Sequence, residues 1–268
     1  MFSRIALTLL LAGTTAFAAS TPAPLTTKEL ASVAKIESVS IPSPAETMAA
    51  LSKVAKPNWQ SRYRPPIPTT FPSRAQIALN IGGLIADGYI AVEAEDAQQV
   101  KNTGKDIIAL AKSLAVSESV IARGNSIFEF AERNEWNTLK EELEATQNEV
   151  KLSLEQQHDA DLVCLVTLGA WIRGTEILSG WIAENYTPAA ANLLRQPEII
   201  GLMRAKLDAL PAKAKEDALV AALLTSLPEL EERVSFSSDK TPTQDDVKAV
   251  KELSSKLMRR ISTKQSAK

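Results

Sequence analysis

The sequence predicts an all-α fold, a multi-helix bundle with two central apolar helices and an N-terminal proline-rich arm. Three observations predict it. From Ser73 onward apolar residues recur at helical spacing, and alternating β-branched runs are few. Two long segments, 73–93 and 159–184, are apolar nearly all round, which places them at the centre of a bundle. Just before the first of them, Pro57, Pro65, Pro66, Pro68 and Pro72 forbid regular structure and favour polyproline-like extension.

Taken in order, the chain begins with Arg4, the apolar run "IALTLLLAG" and a small-x-small site at Ala16-Phe17-Ala18. This is the pattern of a removable secretory signal over residues 1–18. Its apolar core of about ten residues is short of the roughly 20 that cross a bilayer. The expected address is therefore export, periplasmic or secreted, with no membrane span in the mature chain. Residues 19–72 form the proline-rich arm with short helices. Ser43, Pro44 and Glu46 make a capping box that starts one helix, expected to run to about Ala55. Within the arm Trp59, Arg62, Tyr63 and Arg64 interleave aromatic and basic groups. They read either as a docking strip for a protein or extended polymer or as anchors that fasten the arm to its own domain.

Residues 73–187 are the core bundle. Helices are expected at 73–101, 106–114, 119–132, 135–156 and 159–184, with corners at Gly104, Asn125 and Asn134, the last as an N-cap. Helix 135–156 carries Trp136, Leu139, Leu143, Val150 and Leu154 on one stripe and four glutamates away from it, so it covers one side of the bundle. Residues 188–268 read as a helical extension packed on the bundle. Its helices are expected near 188–194, 198–210, 213–227 and 244–262, with Pro211 and Pro228 as breaks.

Two polar seams interrupt the central helices. Gln76, Asn80, Gly83 and Asp87 follow the spacing i, i+4, i+7, i+11, and Gly169, Arg173, Glu176 and Gly180 repeat it. If the seams face each other, Asp87 pairs with Arg173 and the glycines let the backbones approach. If they enclose a cleft, Asn80, Asp87, Arg173, Glu176 and Trp171 become the candidate ligand-binding residues, with Arg173 offering a fork to a small anion and Tyr89 and Trp181 as further walls. Asp87 and Glu176 would be the acid and base of a catalytic reading.

Other chemistry finds no support. The net charge of −2 and a pI near 5.7 give no basic field for nucleic acid. Cys164 is the sole cysteine and His158 the sole histidine, so zinc sites lack ligands, and six residues put the two on different helix faces. A lone Glu155-x-x-His158 falls short of a carboxylate metal bundle. No phosphate loop, nucleophile elbow or calcium loop is present. No cofactor or metal is expected. The resulting expectation is an exported, non-catalytic binding or structural protein of the cell envelope, the alternative being a small-anion-binding domain that uses the seam.

Overall fold

The computed structural model describes residues 43–264, apart from 117 and 238 and the side chain of Ser119; the expected signal sequence and the first part of the expected arm lie outside the described residues. All regular structure among them is helical, as the apolar spacing predicts. Helix α1 (Pro44–Val54) starts at the expected capping box, with the Ser43 hydroxyl accepting from the Glu46 N–H and the Glu46 carboxylate accepting from the Ser43 N–H. A short 3-10 turn, Trp59–Arg62, and an extended proline strap lead into α2 (Arg74–Glu93). Then come α3 (Ala97–Ser113), α4 (Glu118–Glu132), α5 (Trp136–Gln156) and α6 (Ala160–Glu184).

Arg74 at the start of α2 pairs with Asp159 at the start of α6, and Asp87 with Arg173 further along, so the two central helices run in the same direction. The antiparallel helices between them make that possible. The central crossing is set by glycine. A Cβ added to Gly82 would lie 2.6 Å from the Ala170 nitrogen, and one on Gly169 would lie 2.8 Å from the Leu79 carbonyl carbon, so backbone rests on backbone.

Asn134 is a corner as expected, and the expected helix ends at 114, 132 and 156 hold to within one residue, but the other expected corners differ. Gly104 and Asn125 lie inside helices, and the expected helix over 73–101 breaks instead at Glu95 and Asp96. Four consecutive connections share one device. Glu95, Ala115, Asn134 and His158 each adopt positive φ, between 52° and 60°. In each, the next N–H reaches the carbonyl five residues back: Asp96 to Ala91, Val116 to Ala111, Glu135 to Phe130, Asp159 to Leu154. This is the Schellman C-cap, which glycine usually fills and which here holds non-glycine residues. Asn134 therefore ends α4 and does not cap α5, whose N-cap Glu135 makes no side-chain cap bond.

After α6 the chain forms the short α7 (Pro188–Ala191) and a 3-10 turn, then α8 (Pro197–Asp208), the single turn α9 (Ala212–Lys215), α10 (Ala218–Val234) and α11 (Gln244–Ser262). Pro228 does not break α10, which runs through it. Helix α11 matches its expected bounds. Its buried face, Val247, Val250, Leu253, Ser254, Leu257, Met258 and Ile261, lies along α6 and α2, so it forms a wall of the core. The spans of α2 and α6 long and apolar enough to cross a membrane are 94% and 83% buried by the other helices, which accounts for their composition.

Candidate functional site

The α2 seam points to two different neighbours. Its first half closes the end of α11. The Gln76 amide donates to the carbonyls of Ile261 at 2.9 Å and Thr263 at 2.8 Å, and the Asn80 amide donates to Ile261 at 2.8 Å. The last carbonyls of a helix have no partner within it. Two buried amides supply one.

The second half is a buried charge cluster. Asp87, 6% exposed, accepts from Arg173 Nε at 2.8 Å through one oxygen and from Arg64 Nε at 2.6 Å through the other. Arg173, 4% exposed, also donates to Glu176 at 2.7 Å and to the backbone carbonyl of Arg62 at 2.7 Å. Arg64 donates in addition to the Ser262 hydroxyl at 2.8 Å, tying strap, α2 and the end of α11 together. Burial opposes the charge on Arg173, but Asp87 and Glu176 outweigh it and hold the guanidinium more firmly protonated than usual. Gly83 makes the room: a Cβ there would meet the Arg64 guanidinium at 3.1 Å and the end of Met258 at 3.0 Å. A chelate of Arg62 onto Glu184, at 3.2 and 2.7 Å, runs beside Gly180 and holds the Glu184 carboxyl below its usual value.

The seams therefore touch each other at Asp87 and Arg173 and are closed over by the strap. Of the five candidate ligand residues, Asp87, Arg173 and Glu176 come together. Asn80 belongs to the α11 cap. Trp171 lies elsewhere, donating its indole N–H to Gln196 at 2.8 Å. Arg173 has donors committed in three directions, so it offers no open fork to an anion. Both carboxylates of the catalytic reading are bound to that same guanidinium, which leaves neither poised to move a proton. The docking strip also turns inward: Trp59 is 6% exposed, Arg62 and Arg64 make the ion pairs above, and the Tyr63 hydroxyl donates to Asp96 at 3.4 Å.

Sequence reasoning missed a second region, an open groove of about 820 Å³ between α5, α6 and α8. Trp171, Val163, Met203 and Leu210 give it an apolar floor, and Lys151, Lys206, Glu155 and Asp161 line its polar parts. Cys164 faces it, and burial pushes this thiol up to about 11, as an unreactive thiol requires. His158 also lies there, at the left-handed corner before α6. Behind the groove, among α2, α3, α4 and α5, lies an aliphatic cavity of about 40 Å³ with no charged residue in its lining. Gln147 lines both. No cluster of metal-ligating side chains occurs among the described residues.

Comparison with known proteins finds no matching family model, no matching curated protein and no matching solved structure. What the fold and sites define is a class: an up-and-down helical bundle whose buried charge cluster is closed by its own strap and which bears one large open groove.

Proposed function

We propose that the protein is an exported, non-catalytic binding protein of the cell envelope and that the groove between α5, α6 and α8 is its binding surface. One observation carries this reading. The charged groups of the seam, Asp87, Arg173 and Glu176, are engaged by the protein's own partners, whereas the groove combines an apolar, partly aromatic floor with ionic groups in a volume suited to a ligand. The seam then serves architecture, fixing the register of α2, α6, α11 and the strap. With Trp59, Arg62 and Arg64 engaged inward, the strap is a fastening and the partner surface lies on the groove side.

The reading is tested by a thermal-shift panel of peptides, glycans and anionic metabolites on the mature protein, repeated on Lys206→Glu. Stabilisation by at least one class, weakened in the variant, supports it. Absence of any shift across the panel overturns it, as does a shift that Lys206→Glu leaves unchanged and Arg64→Ala removes.

A further inference from the structure

We infer that the groove and the cavity behind Gln147 form one site for a short aliphatic carboxylate, its chain end in the cavity and its carboxylate at Gln147 and Lys151. The inference rests on the groove being the binding surface and names the ligand class. Gln147 is the starting point. It is 8% exposed, it borders the open groove, and among the described residues no group hydrogen-bonds its amide, so its N–H and carbonyl are free for a ligand. It is also the partition between the polar groove and the aliphatic cavity. Its displacement by a ligand would join the two.

One turn further along the same face of α5 stands Lys151. Its half-buried ammonium has no carboxylate within ion-pair distance among the described residues. Burial lowers its hold on the proton, and Glu155 only partly offsets that. An amide N–H and an ammonium beside each other can donate to the two oxygens of a carboxylate. Glu155 and Asp161 on the same rim disfavour a dianion such as a phosphate ester.

The cavity sets the other end of the ligand. Ile85, Val100, Ile108, Ile121 and Val150 wall it, and an apolar void of this kind holds no water that a chain would have to displace. Gly88 leaves the α2 side bare: a Cβ there would meet only the Thr103 methyl, at 3.9 Å. The space admits a chain that runs inward past Gln147 from the carboxylate.

Calorimetric titration of the mature protein with butyrate, hexanoate, octanoate and octanol tests this. Affinity should rise by up to about fourfold per methylene, and octanoate should bind at least about tenfold more tightly than octanol. Lys151→Met should bring octanoate down to the level of octanol while leaving octanol unchanged. Gly88→Leu should erase the advantage of octanoate over butyrate. If that variant loses its cooperative melt, Gly88→Ala serves in its place and should reduce the advantage. Carboxylates that fail to bind, bind without dependence on chain length, or bind equally to Lys151→Met overturn the inference. Should other ligands of the thermal-shift panel still act at the groove, only this inference falls; should none act, the proposed function falls with it.

Discussion

The charge cluster at Asp87 and the groove at Lys151 are opposite solutions for polar groups taken from water. At Asp87 two guanidiniums and two carboxylates meet, and hydroxyl and carbonyl groups take up most of the remaining donors. At Lys151 and Gln147 an ammonium and an amide are partly withdrawn from solvent beside the groove, with no protein group to bind. A network whose charges are paired fixes one packing arrangement, whereas unpaired polar groups beside a groove are open to a ligand. The contrast gives substitutions opposite signs in the two regions. Removing a polar group from the cluster should destabilise the protein, and removing one from the groove should stabilise it.

The largest effect should come from Asp87→Asn, which leaves Arg173 and Arg64 facing a neutral amide. Loss of one partner from a buried ion pair costs about 3 to 5 kcal/mol, read as a drop in the free energy of urea unfolding. The double variant Asp87→Asn with Arg173→Met should lose much less than the sum of the singles. An additive result would break the cluster reading.

Next comes the central crossing. Gly169→Ala forces the α2 and α6 backbones apart and should cost about 1 to 3 kcal/mol. Five residues on, Gly174 has nothing within 4 Å of an added Cβ, and Gly174→Ala should gain about 0.5 to 1 kcal/mol from helix propensity. Equal effects at the two glycines would remove the argument for backbone contact.

These glycines show how far the sequence was legible. The apolar spacing disclosed the helices and offered the pairing of Asp87 with Arg173 as one of two readings, because a buried charge must find its opposite. It pointed to Gly83 as the close approach, whereas Gly82 makes that contact and Gly83 admits the strap's Arg64. One residue turns the helix by about 100°, and nothing local records which face meets which neighbour. Helix ends near 114, 132 and 156 were legible, but the corner at Glu95 was hidden for another reason. Glycine marks a left-handed cap only when the chain uses it, and Glu95 carries no such mark, whereas Asn134 does. Ala115→Gly should accordingly stabilise by about 1 kcal/mol, since alanine in that conformation is strained. The groove was invisible because its walls come from α5, α6 and α8, distant in sequence and individually ordinary.

The Arg62 to Glu184 chelate on the strap predicts a pH dependence of defined sign. The folded-state Glu184 value lies below its ordinary 4.5. Its contribution is therefore complete above that pH and is lost as the pH falls through the folded value. Arg62→Gln should lower the melting temperature at pH 7 by a few degrees at most, as partly exposed pairs contribute about 1 kcal/mol or less. Once the pH has fallen below the folded Glu184 value the two proteins should converge.

The smallest effect lies in the groove and has the opposite sign. Lys151→Met replaces an ammonium that folding half-strips of water by a side chain of similar length that needs none, so the variant should be more stable, by about 0.5 kcal/mol or less. The folded Lys151 value lies below its ordinary 10.5, so the folded protein holds this proton less tightly than the unfolded chain does. The penalty is then full below the folded value and is relieved as the pH rises toward 10.5. Melting curves at pH 7 and pH 10.5 should show the advantage of Lys151→Met at the lower pH and its loss at the higher. A variant less stable than the parent at pH 7 would mean that Lys151 already has its partner, and the contrast between the two regions would disappear.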